Sequence, residues 1–187
     1  MITLPFPARP ELLLCPPTPR PLHGQAPREI FGRAWWDVTR RAVYAKFRDC
    51  CGACGVHKSE AKYRKHVEAH EIYTIDYEDG TMTLREIVAL CNMCHNYIHH
   101  ERLQAMVDAK IYSPEYQADV IRHGESVLRA AGHTSFRAEI PEKQAPWGQW
   151  RIILDDGHPH FSKFINEQHW AAHYAAKNAE LAAGKSD

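Results

Sequence analysis

Two cysteine pairs constrain this chain more than any other feature: Cys51-x2-Cys54 and Cys91-x2-Cys94, with 36 residues between them. Two thiol pairs at that spacing make the four-sulfur tetrahedral set that zinc favours, and the binding energy of such a site is folding energy for the chain between the pairs. The glycines of CGACG, Gly52 and Gly55, permit the tight turn the first pair needs. Cys50 competes with Cys51 for a place, but only Cys51 keeps the two-residue spacing to Cys54. Cys15 stands apart among prolines and is read as a bystander. Immediately after the second pair comes His95-x3-His99, and His70 lies between the pairs.

Cysteines spaced for metal rather than for disulfides point to a reducing compartment, so a cytoplasmic protein is expected. The opening MITLPFPARPELLLCPP has neither a basic start nor a long apolar run, and its prolines would break a signal helix. No stretch approaches 18 apolar residues, which excludes a hydrophobic membrane helix as an expectation and leaves no membrane partner. Lys plus Arg equals Asp plus Glu at 23 each, so net charge does not argue for a polyanion. Its distribution does: residues 1–66 hold 12 basic and 5 acidic side chains, against 11 and 18 in the remainder. The excess of positive charge at and before the first cysteine pair is placed to attract a phosphate backbone.

The chain divides by pattern into three stretches. Residues 1–28 carry eight of the 12 prolines and read as an extended arm, laid against the body through Leu12 to Leu14. Residues 29–112 form the metal-binding core. A helix over 28–47, with Ile30, Ala34, Val38, Ala42 and Ala45 at helical intervals, leads to the first cysteines. A β-prone run then turns at Asp79-Gly80, a hairpin signal, and TLREIVAL continues as a strand or begins with a helical turn. Beyond Cys94 the spacing of Ile98, Leu103, Met106, Val107 and Ile111 predicts one helix, with His95 and His99 a turn apart on one face. Residues 113–187 form a C-terminal extension. Ser113-Pro114 caps a helix that stops at Gly132, FRAEI and WRIIL are two strands around a Pro146-Trp147-Gly148 turn, and the segment from Phe161 to Ala183 is helical.

The order C-x2-C, then AHE at the end of a β-prone segment, then LCNMCHNYIHH resembles the HNH endonuclease family, over about residues 48–104. The specific part is LC-x2-CH-x3-H. The resemblance implies an α+β fold: a ββα-metal core with a zinc knuckle, flanking helices and a small C-terminal α/β extension. It also implies structural Zn2+ on Cys51, Cys54, Cys91 and Cys94, and a catalytic divalent ion, Mg2+, Mn2+ or another, on His95 and His99. By position His70 resembles the general base, with Glu68 as a carboxylate orienter or ligand. Neutral imidazole accepts a proton near pH 7, which suits that role. The chain departs from the family pattern at Ala69, where Asp or His is usual, and no Asn clearly matches the middle letter of the family name. Either Glu68 or Glu71 takes the missing place at the metal, or the finger has kept its fold without the reaction.

The activity that the resemblance implies is metal-dependent hydrolysis of DNA phosphodiester bonds. Arg40, Arg41, Lys46 and Arg48 before the knuckle, and Lys58, Lys62, Arg64 and Lys65 before His70, are the candidate nucleic-acid contacts, gripping phosphate without reading sequence. DNA is the expected partner. RNA or a protein partner stays open, as does a homodimer, since cutting both strands calls for two active sites. The alternative is a noncatalytic zinc module that binds nucleic acid or protein.

Overall fold

The computed structural model describes residues 2–133 and 140–183. Among the described residues it is a mixed α+β structure with five α-helices and one four-stranded sheet. The helices are α1 (Pro27–Lys46), α2 (Asn92–Ile98), α3 (His100–Asp108), α4 (Pro114–Ala130) and α5 (Glu167–Ala183). The strands are β1 (Val67–Asp76), β2 (Thr81–Cys91), β3 (Arg151–Ile153) and β4 (Pro159–Phe161), in sheet order β1-β2-β3-β4. β2 and β3 run parallel, with Thr81 opposite Arg151, and β3 and β4 run antiparallel. Among the described residues no helix is long and apolar enough to cross a membrane.

The chain forms two compact units. The first is built from Met1–Pro17, Arg33–Ile72 and Arg85–Ile140, and the second from Thr18–Gly32, Tyr73–Leu84 and Pro141–Asp187. The core of the first gathers Val43, Phe47, Val67, Val88, Leu90 and Leu103 with Val120 and Leu128 of α4. Leu12 and Leu13, on a short 3-10 turn at Pro10–Leu14, are buried in the same core, so this part of the proline-rich stretch does lie against the body. The second unit packs Leu22, Met82, Ile152 and Leu154 around Trp150, whose indole N–H donates to the Ala145 carbonyl at 3.0 Å.

Local chemistry explains the element ends. β1 and β2 are joined at Tyr77–Gly80, and Gly80 has a φ of 70°, the left-handed conformation that the Asp-Gly signal anticipates. TLREIVAL is strand throughout. The Ser113 hydroxyl accepts the Tyr116 N–H and Pro114 opens α4, as the capping signature predicts.

Four expectations need correction. The helix after Cys94 is two helices, because His99 has φ −88° and ψ 44° and the axis breaks there. The helix over 28–47 is interrupted at Gly32, with φ 84° and ψ 169°. Its apolar positions Ala34, Val38, Ala42 and Ala45 do not mark the buried face, Val38 being 66% exposed, while Val43 and Phe47 are the buried residues. The C-terminal helix starts at Glu167, because Pro159–Phe161 pairs with β3 as a strand. The strand expected at FRAEI lies outside the described residues, apart from its last position.

Candidate metal centres

Both candidate centres lie in the first unit. Cys51 and Cys54 sit on the loop after α1, while Cys91 ends β2 and Cys94 lies in the first turn of α2. The loop is held to β2 by Gly52 N–H donating to the Ala89 carbonyl at 2.7 Å. It closes on itself through Gly55 N–H to the Cys51 carbonyl at 2.8 Å, with Gly55 at φ 79°. A side chain at position 52 would meet Phe47, because a Cβ there stands 2.7 Å from the ring. These constraints bring all four sulfur atoms within 4.8 Å of one another. The Cys54 and Cys91 sulfurs are 3.8 Å apart. Sulfurs bound at about 2.3 Å around a tetrahedral ion stand roughly 3.8 Å from each other, so the set can hold a metal such as zinc.

The sulfur atoms perturb one another unevenly. Hydrogen bonding from Cys51, then from Cys54 and Cys94, pulls the Cys91 thiol toward the thiolate. Hydrogen bonding with Cys51 and burial push the Cys54 and Cys94 thiols up. Four thiolates at this distance would repel strongly, and a divalent cation is the counter-charge that such sites use when all four sulfurs ligate. Cys94 also has His123 of α4 beside it, Nε2 at 3.4 Å from the sulfur. Cys50 points away, toward the Arg48 carbonyl at 3.5 Å, and belongs to neither cluster.

The second centre is His70, His95 and His99, whose ligand nitrogens likewise lie within 4.8 Å of one another. His70 points inward from β1, His95 sits on α2, and His99 occupies the break between α2 and α3. His99 Nε2 is 3.2 Å from His70 Nδ1. Nitrogens sharing a tetrahedral ion at about 2.0–2.1 Å stand roughly 3.3–3.4 Å apart, so this spacing also suits a shared cation. Burial, then the nearness of His99, His95 and Arg102, each of which disfavours a second positive charge, holds the His70 imidazole well below its ordinary pKa. Burial, then His95 and Arg102, lowers His99 to about 3. Both rings are therefore neutral at pH 7, the form that ligates metal.

Behind His95 stands Glu68, its Oε2 at 2.9 Å from His95 Nδ1. The approach is an ion-pair distance without hydrogen-bond alignment, so Nδ1 remains a buried nitrogen that lacks a directed partner in the protein. Burial pushes the Glu68 carboxyl up, but His95, followed by Asn92, outweighs it and lowers the group to about 2. Asn92 Nδ2 donates to Glu68 Oε1 at 3.3 Å, and Tyr116 on α4 donates to Asn92 Oδ1 at 2.5 Å. Asn96 Nδ2 donates to both the Tyr116 hydroxyl at 3.0 Å and the Asn92 carbonyl at 2.9 Å. Arg102 Nη2 donates to Asn96 Oδ1 at 3.2 Å. The carboxylate near the cluster thus comes from Glu68, one position before Ala69, and Glu68 is not one of the mutually close ligand atoms.

Several of the basic residues singled out in the sequence are already paired. Arg40 bonds Asp37 at 2.8 Å and Arg41 donates to the Asp37 carbonyl at 2.7 Å. Lys46 stands over the Phe47 ring, and Arg48 is exposed with a left-handed φ of 51°. Lys58 pairs with Asp49 at 2.8 Å, Lys62 pairs with Asp119, and Arg64 reaches the Tyr112 hydroxyl at 3.5 Å. Lys65 is exposed. The residues that sequence reasoning missed are Asn92, Asn96, Arg102, Tyr116 and His123. Asn92 and Asn96 carry the one available signal: they are polar side chains at helical spacing beside Cys94. Known families, curated proteins and solved structures were compared with the chain and none matches it.

Proposed function

We propose that the protein is a metal-dependent hydrolase of phosphodiester bonds, of the HNH type and acting on DNA, with a structural zinc on Cys51, Cys54, Cys91 and Cys94. The observation that carries the reading is the convergence of His70, His95 and His99 beside a four-cysteine cluster, on the hairpin β1–β2 and the helix after it. A divalent cation held by these imidazoles would polarise a phosphoryl oxygen and stabilise the departing alkoxide. The chain's own contribution is to keep the His70 and His99 rings neutral and to bring the three ligand nitrogens together. Glu68 stands at ion-pair distance from His95, Asn92 donates to Glu68, and Tyr116 in turn donates to Asn92. The resemblance assigns His70 as general base. Its contact with His99 and its strongly lowered pKa favour instead a third ligand, since a group that gives up its proton so readily is a poor proton acceptor.

A noncatalytic nucleic-acid-binding or protein-interaction module is the second reading, and one observation favours it: His70 and His95 are both buried. Supercoiled plasmid incubated with zinc-loaded protein and Mg2+, Mn2+ or Ni2+, with EDTA as control, separates the two. Metal-dependent nicking lost in His70→Ala supports the hydrolase. Folded protein that binds plasmid and never nicks it supports the binding module. Within the hydrolase reading, restoration of His70→Ala by added imidazole without a change in metal stoichiometry would return His70 to the role of base.

A further inference from the structure

We propose that His123 is a hydrogen-bond donor to the metal-bound Cys94 sulfur, so that α4 takes a direct part in holding the zinc of the cysteine cluster. The inference deepens the zinc reading above and rests on it.

Cys94 is fully buried in the first turn of α2, and His123 of α4 brings Nε2 to 3.4 Å from its sulfur. The helix itself sets this position. His123 stands three residues after Val120 and four before Val127, which both pack into the core of the first unit, so the ring rides on the face turned to the body. Its neighbour Gly124 lets the two helices close on each other: a Cβ there would stand 2.2 Å from the ring of Tyr97, three residues beyond Cys94. The histidine–sulfur and glycine–tyrosine contacts are thus adjacent points on one seam between α2 and α4. Tyr116, two helical turns before His123, grips the same short helix at Asn92.

The chemistry of a loaded site assigns the ring its role. Four sulfurs fill a tetrahedral sphere, and His123 is not among the mutually close ligand atoms, so it has no place on the ion itself. Zinc ligates the thiolate and releases the thiol proton to water, which leaves Cys94 with no hydrogen to donate. The hydrogen between sulfur and nitrogen then has to be the Nε2–H of the ring. Four thiolates around a divalent ion leave a net charge of about −2, and a buried net charge calls for donors. A charge-assisted N–H to Cys94 offsets part of that cost. It also draws electron density from the sulfur, which makes it a poorer nucleophile while it stays on the metal.

The test uses the 187-residue chain loaded with one equivalent of 113Cd2+, a soft ion that takes the thiolates in zinc's place. In the NMR spectrum His123 Nε2 should be protonated, and its proton should show a scalar coupling to cadmium through the sulfur. Zinc affinity, read by chelator competition, should fall about 10- to 100-fold in His123→Phe, which keeps a ring and removes the donor, and be partly regained in His123→Gln, whose amide can donate. Cys94 of the zinc-loaded His123→Phe protein should also be alkylated faster by iodoacetamide, as located by peptide mass spectrometry. An unprotonated Nε2, or one bonded directly to cadmium, overturns the proposal. So does unchanged zinc affinity in His123→Phe, or equal weakening in both variants, which would mean that the ring only fills space. The zinc reading fails separately and earlier: a chain that takes up no stoichiometric zinc or cadmium removes both, whereas a loaded chain with an unprotonated Nε2 removes the role of His123 alone.

Discussion

Glu68 Oε2 stands 2.9 Å from Nδ1 of His95, with a tyrosine and an asparagine from two other elements holding the carboxylate in place. A carboxylate at that distance acts on the imidazole electrostatically, the kind of neighbour that raises the basicity of a ligating ring. Replacing Glu68 with Gln should therefore weaken divalent-metal binding at the histidine cluster by about 10- to 100-fold and leave the zinc content of the cysteine cluster unchanged. Competition against a chelating dye, with zinc counted by mass spectrometry, reads both; equal affinity in the variant would show that Glu68 only fills space.

Removing one thiol should unfold the first unit. Apparent zinc-binding energies of about 10–16 kcal/mol in small zinc domains match or exceed the usual margin of stability of about 5–15 kcal/mol once folding and binding are coupled. Cys94→Ser should lose stoichiometric zinc and its cooperative thermal transition, and a strong chelator should do the same to the native chain. Circular dichroism melts recorded with zinc analysis check this, and a variant that melts like the native protein contradicts it.

His99 gives stability a pH dependence of definite sign. Its folded pKa, about 3, lies below the unfolded value of 6.5, so its contribution is fully present above pH 6.5 and is lost as pH falls toward 3. Wild type should therefore lose on the order of 1–2 kcal/mol relative to His99→Gln between pH 7 and pH 5. Urea unfolding of both proteins, with zinc present and no second metal, measures the difference; a flat difference across that range would mean His99 is not buried neutral.

Gly124 of α4 meets the Tyr97 ring so closely that a Cβ would stand 2.2 Å from it. Gly124→Ala is expected to cost about 1–3 kcal/mol through overpacking, despite the better helix propensity of alanine. Combining it with Tyr97→Ala should make the two effects clearly non-additive in a double-mutant cycle of unfolding free energies.

Much of this arrangement is legible before any coordinates. The cysteine spacing, the Asp79-Gly80 turn and the Ser113-Pro114 cap are local rules, written within four residues, and the chain obeys them. What the sequence hides is what depends on pairs far apart. Tyr116 meets Asn92 and Cys94 meets His123 across more than 20 residues, and no spacing signals either contact. The break at His99 is hidden for another reason: the apolar period runs through it unbroken, and the departure from the helix is confined to one residue's ψ. Ala34 and the exposed Val38 show the limit of periodicity itself, since alanines satisfy a helical pattern without marking the face that Val43 and Phe47 bury.

The 36 residues between the cysteine pairs also set a schedule. At about 5–20 residues per second, the ribosome adds Cys91 roughly 2–8 s after Cys51. For most of that interval the nascent chain offers two thiols with no partners, joined about half-way through by a first histidine, His70, whose two companions are still untranslated. The order of its codons completes both clusters almost at once, within the nine residues from Cys91 to His99.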